Sequence, residues 1–304
     1  MGNGLDFVLA DVFSSRISGG NQLAVFPNAP DLSEAAMAAI ARELKLNETV
    51  FVTGRERGGI RARIFSPHGE LPFAGHPVIG TACLLGLDDA TLRRAGELTL
   101  RVPAGDIPVR LSERDTGLHA MLQCPKQPAR LETSATARNI AAMLGLTTRD
   151  LDSARPAAGY SGGIPFFCVP LADRQALRRA QLDREKWART LSNTNAPHIY
   201  LFAIEEGEIF ARMFAPAVGI DEDPATGAAA VALAGFLAKG APDGRYGFRI
   251  HQGEEIGRPS IIDLEFDAWC DSAVRVWIGG TSVVFGQGSL IHGFSEMEDS
   301  CQAR

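Results

Sequence analysis

One pattern constrains this chain more than any other: it repeats itself, in order, at an offset near half its length. Ala62-Arg63-Ile64-Phe65-Ser66-Pro67 returns 149 positions later as Ala211-Arg212-Met213-Phe214-Ala215-Pro216, four of six residues identical. Ser18-Gly19-Gly20 leads into Leu23-Ala24-Val25-Phe26-Pro27, and Ser161-Gly162-Gly163 leads into Phe166-Phe167-Cys168-Val169-Pro170, an offset of 143. Chance recurrence of common tripeptides would have to act twice at nearly one offset. At 304 residues the chain has length for two units of about 150, each with its own core. The expectation is two similar halves with a cleft between them. The first would hold 1–117 with 286–304 returning to it, and the second 118–285.

Local patterning agrees. Strand-like runs fall at 7–12, 23–26, 49–52, 60–65, 98–102 and 107–111, then at 166–169, 199–204, 209–214, 247–251, 261–266 and 274–278. Helices are predicted at 32–44, with Ser33 as N-cap, and at 136–144 and 174–181. Two more, Ala-rich and apolar on nearly every face, begin near Pro77 and Gly227; such helices are buried ones. The fold class is therefore α+β, a curved sheet wrapped around a central helix, built twice.

Composition narrows function by exclusion. The formal charge is −6, and the cations are scattered: four Lys against 26 Arg, paired only at Arg93-Arg94 and Arg178-Arg179. No nucleic-acid partner is expected from such a surface. Five widely spaced cysteines without a C-x-x-C form neither a disulfide framework nor a zinc site, which suggests a reducing cytoplasm. The longest uncharged apolar run, 227–238, is too short to span a bilayer, and Met1 to Ala10 lacks the features of a secretory signal. A cytoplasmic protein with no membrane partner is expected.

Chemistry gathers where the two buried helices begin. Phe73-Ala74-Gly75-His76-Pro77-Val78 opens the first, with Pro77 in the favoured first turn, and Asp221-Glu222-Asp223-Pro224-Ala225-Thr226-Gly227-Ala228 opens the second. A helix N-terminus presents N–H groups and about half a positive charge, suited to a carboxylate. For Gly75 and Gly227, simple turn chemistry is an equal and compatible reading. His76 stands inside such a turn, a setting that His68, His119, His198, His251 and His292 lack; those default to structure or surface. No two histidines have metal-ligand spacing, so no metal is expected. One acid of 221–223 is expected to cap its helix, leaving another for the cleft. Glu48 opens an apolar strand, which suits either a solvated strand-start acid or a carboxyl of raised pKa that moves protons.

Several of these segments, in order, carry a resemblance. Gly20-Asn21-Gln22-Leu23-Ala24-Val25, Asn47-Glu48-Thr49-Val50-Phe51, Arg63-Ile64-Phe65-Ser66-Pro67, Glu70-Leu71-Pro72-Phe73-Ala74-Gly75-His76-Pro77 and Glu222-Asp223-Pro224-Ala225-Thr226-Gly227 are followed by Gly257-Arg258-Pro259-Ser260 and Val276-Trp277-Ile278-Gly279-Gly280. Together they resemble the phenazine biosynthesis PhzF-like isomerases and span nearly the whole chain. The resemblance implies the diaminopimelate epimerase-like fold, a homodimer, and isomerisation of a small carboxylate without cofactor. It implies Glu48 as proton carrier, with His76 and Asp223 binding or polarising the substrate. Gly75, Pro77, Val78, Ala225, Thr226, Gly227 and Ala228 would line its binding site. Related epimerases and proline racemases place a thiol where each helix begins; the corresponding residues here are read as Ala74 and Pro224, against a two-thiol racemase. Amino-acid epimerisation, or silent binding on the same scaffold, are the alternatives. Gln22, Asn47 and Ala228 depart from the family's usual Pro, Ser and Ser. The last of these Ser contacts substrate in the family, so Ala228 points away from the dihydro-hydroxyanthranilate substrate.

Overall fold

The structure is a computed structural model, and it describes residues 4–30, 32–56, 58–133 and 135–290. The chain divides into two compact units. One contains the described residues up to Pro125 together with 279–290, and the other is Lys126–Ile278. Residues 291–304 of the returning segment, with His292 and Cys301, lie outside the described residues.

The first unit begins with β1 (Leu5–Val12), β2 (Asn21–Phe26), α1 (Glu34–Leu44), β3 (Glu48–Glu56), β4 (Gly59–Ser66) and β5 (Gly69–Leu71). It continues through α2 (Gly75–Asp88), α3 (Ala90–Ala95), β6 (Glu97–Val102), β7 (Gly105–Arg114) and β8 (Gly117–Gln123). In the second unit follow β9 (Ala129–Leu131), α4 (Ala137–Met143), β10 (Ala158–Ser161), β11 (Pro165–Pro170), α5 (Arg174–Arg179), α6 (Arg184–Thr190), β12 (His198–Glu205), β13 (Glu208–Ala215) and β14 (Ile220–Asp223). Then come α7 (Gly227–Ala238), β15 (Gly244–Gln252), β16 (Ser260–Trp269) and β17 (Ser272–Leu290), whose later residues belong to the first unit.

Strand pairing repeats element for element. In the first unit β2 is antiparallel to β1 and parallel to β3; β3 and β5 flank β4 antiparallel, and β4 is parallel to β6. In the second unit β11 is antiparallel to β10 and parallel to β12; β12 and β14 are antiparallel to β13, and β13 is parallel to β15. A parallel pair needs a crossover. Accordingly α1 joins β2 to β3, and α5 with α6 joins β11 to β12.

Helix burial follows from composition. Ser33 caps α1 through the Ala36 N–H at 3.2 Å, and of its buried residues Met37, Ile40 and Ala41 pack with Phe26, Phe51 and Phe65. By contrast α2 is buried from His76 through Gly86, and α7 is buried at all but Ala228 and Leu237. Each is the central helix of its unit.

The repeated Arg makes a repeated bond. Arg63 forks onto Glu70 at 2.7 and 2.6 Å, tying β4 to β5, and Arg212 forks onto Glu222 at 2.8 and 2.7 Å, tying β13 to β14. Arg212 also donates to the carbonyls of Leu177 and Ala180 at the end of α5.

The unit boundaries differ from 117 and 286. Residue 117 begins β8, whose register with β7 runs from Gly117 to Leu122, so that hairpin carries the first unit on to Pro125. The chain rejoins the first unit at 279, where the Gly279 backbone meets the Ala120 carbonyl too closely for a side chain. The strands β5, β8, β9, β10 and β14 and the helices α3 and α6 were not expected; all are seven residues or shorter, too short to show a clear period.

Candidate active site

Glu48 is the first residue of β3, level with Leu23 of β2. It lies against the start of α2, where Nε2 of the buried His76 is 3.1 Å from Glu48 Oε2. Oε2 is itself shielded from solvent and makes no hydrogen bond of ordinary alignment. Burial pushes the Glu48 carboxyl up to about 7, so near neutral pH it populates both protonation states. Of the two readings left open by the sequence, this geometry supports the carboxyl of raised pKa over the solvated strand-start acid.

Ala74, the N-cap of α2, cannot cap through its side chain. Pro77 carries no N–H and the Val78 N–H bonds to the Ala74 carbonyl, so only Gly75 and His76 have first-turn N–H groups outside the helical ladder.

In the second unit Asp223 ends β14 and is buried. The N-cap of α7 is Thr226, not an acid of the 221–223 triple, and its side chain makes no capping bond. Its hydroxyl instead donates to Asp223 Oδ2 at 2.5 Å. The other two acids are committed elsewhere, Glu222 to Arg212 and Asp221 to Arg184. Thr226 is also the residue that corresponds to Ala74 as N-cap, in place of Pro224.

Gln252, missed from sequence, organises this turn. Its Nε2 donates to the Asp223 carbonyl at 2.8 Å and to Thr226 Oγ1 at 3.0 Å. Its Oε1 accepts from the Thr226 N–H at 3.3 Å and the Tyr200 hydroxyl at 3.2 Å. Gly253 makes the approach possible: its φ is +79°, and a Cβ there would stand 2.6 Å from the Pro224 carbonyl oxygen. A Gln before a Gly at a strand end was the available signal. Of the expected binding residues, Ala225 is buried beside this turn, while Gly227 and Ala228 keep first-turn N–H groups outside the ladder, since both Ala229 and Ala230 bond to the Thr226 carbonyl.

Among the described residues no thiol stands at the start of α2 or α7. Cys83 lies inside α2, its thiol 3.3 Å from the Leu118 carbonyl, and burial pushes it up to about 12. Burial pushes Cys168 up as well. Among the described residues no cluster of His, Cys, Asp and Glu is suited to a metal ion, and no helix is long and apolar enough to cross a membrane.

The chain is similar to known proteins over nearly its whole length. Residues 10–288 match the family described as phenazine biosynthesis-like protein. A trans-2,3-dihydro-3-hydroxyanthranilate isomerase from Pseudomonas fluorescens is 36% identical over 94% of this chain and 99% of its own. A phenazine biosynthesis protein of the PhzF family from Bacillus anthracis superposes with a TM-score of 0.84 at 24% identity, covering 95% of this chain and all of that one. The fold extends to a probable proline racemase from Agrobacterium radiobacter, with a TM-score of 0.60 at 14% identity over 96% of this chain and 94% of that one. The α+β architecture, of the diaminopimelate epimerase-like kind, is shared with both of these solved structures.

Proposed function

The chain belongs to the phenazine biosynthesis-like family and is a PhzF-like isomerase; from that premise we propose that it moves a proton between carbons of a small carboxylate, with Glu48 as carrier. The observation that supports this is the Glu48 carboxyl, desolvated and lifted to about 7, in contact with His76 where an uncapped buried helix begins. As a carboxylate, Glu48 takes a proton from one substrate carbon. As the acid so formed, it returns a proton to another, and the substrate formula is unchanged. A carboxyl balanced near the working pH serves both halves of such a cycle.

His76 orients the carboxyl and polarises the substrate. The N–H groups at the start of α2 receive the substrate carboxylate. Asp223, held by Thr226 and by the backbone bond from Gln252, fixes a polar substituent. The reaction requires neither metal nor organic cofactor, and the protein works in the cytoplasm as a homodimer.

The relative's substrate, trans-2,3-dihydro-3-hydroxyanthranilate, is the first compound to test, with other amino- and hydroxy-carboxylates beside it because Ala228 replaces the usual Ser. In deuterated water, turnover by the wild type is expected to place one solvent deuteron on a substrate carbon. Glu48→Gln is expected to slow turnover by roughly 10²–10⁴-fold while leaving binding nearly unchanged. Near-normal turnover by that variant removes Glu48 from the chemistry.

A further inference from the structure

The repeat gives Glu48 a counterpart. Glu48 is level with Leu23 of β2, and the next residue, Thr49, is level with Phe65 of β4. His198 is level with Phe166 of β11, and the next residue, Ile199, is level with Phe214 of β13. Leu23 and Phe166 are repeat partners, as are Phe65 and Phe214. His198 therefore opens β12 at the position that Glu48 occupies on β3. Gly75 and Gly227 begin the two buried helices, so the residue corresponding to His76 is Ala228.

The surroundings of His198 place it within its own unit. Residues 198, 200 and 202 share one face of β12. The opposite face, Ile199 and Leu201, lies in the core packed by α4, α5 and α6. On the shared face Phe202 meets Phe236, near the end of α7, with ring centroids 5.4 Å apart. Tyr200 reaches Gln252, which binds the N-cap Thr226. The next residue on this face is His198, which opens β12. Its ring lies 5.7 Å from that of Phe166, and its Nδ1 is buried with no hydrogen-bond partner. In the first unit a carboxyl meets an imidazole; in the second unit the residues at the two corresponding positions are His198 and Ala228, so no side-chain acid or base faces the imidazole from the start of α7. A buried ring nitrogen left without a partner is costly and calls for an explanation.

We infer that His198 is a substrate-contacting residue whose Nδ1 accepts a hydrogen bond from an amino or hydroxyl group of the substrate, selecting substituted carboxylates over plain ones. Burial lowers the imidazole pKa, which keeps the ring neutral and able to accept. The inference rests on the isomerase reading and deepens it.

Calorimetric titration with two probes tests it: 3-hydroxyanthranilate, which carries both donors, and benzoate, which carries neither. The wild type is expected to prefer the former. His198→Phe should weaken 3-hydroxyanthranilate binding by roughly tenfold or more and leave benzoate unchanged. His198→Asn, whose amide sits near the Nδ1 position, should recover most of the loss. Melting temperatures of the variants control for folding. Unchanged preference in His198→Phe overturns the inference alone. Equal losses in the Phe and Asn variants make the ring a packing element and also overturn it. A wild type that binds neither probe overturns the substrate reading and this inference together.

Discussion

Glu48 carries the chemical reading and also leaves a mark on stability. Its carboxyl is raised from 4.5 to about 7, so between these values the folded protein holds a proton that the unfolded chain has released. The contribution is fully present below about 4.5 and is lost as pH rises through about 7. Above that, the buried carboxylate costs roughly 3 kcal/mol relative to its protonated form. Glu48→Gln removes the titration, so urea melts at pH 4.5 and pH 8.5 should show the variant gaining on the wild type as pH rises. Equal pH dependence of the two proteins would show that Glu48 is not desolvated. Composition alone favoured a solvated strand-start acid, because the burial comes from β2 and the start of α2, more than 20 positions away.

Among elements, α2 and α7 each position the candidate residues of their own unit, since they are buried and begin beside His76 and Asp223 respectively. Their interiors have no slack. Gly80 of α2 faces Leu23 and Val12, and an added Cβ would stand 2.5 and 2.6 Å from their methyl groups. Gly→Ala inside a helix ordinarily stabilises by about 1 kcal/mol. Here overpacking, typically about 1–3 kcal/mol, opposes that gain. Gly80→Ala should therefore destabilise, and the shift of the denaturation midpoint gives the sign directly. Both helices were legible from their apolar composition. What their first turns bind was not, because Thr226 is held by Gln252 from the end of β15.

For the whole molecule, the internal repeat is also an energetic repeat with unequal halves. The Arg212–Glu222 fork is nearly buried, while its counterpart Arg63–Glu70 is about a quarter exposed and Arg63 has Glu34 as a further partner at 2.8 Å. Removing one member of a buried pair leaves an uncompensated charge and costs about 3–5 kcal/mol. Partly exposed pairs are worth about 1 kcal/mol or less. Glu222→Ala should thus lower the unfolding free energy several times more than Glu70→Ala, by chemical denaturation of each variant. Similar losses would mean that the two halves share one environment at this fork. The sequence by itself determined the doubling, the α+β class and the central helices, because repeated motifs and apolar runs are local signals; it singled out Glu48, His76 and Asp223 only as candidates. The tertiary structure decided which acid of 221–223 is held at the α7 turn, how strongly Glu48 is desolvated, and that His198 occupies the place corresponding to Glu48. Burial and register arise from strand pairing between distant segments, and no local window of residues contains them.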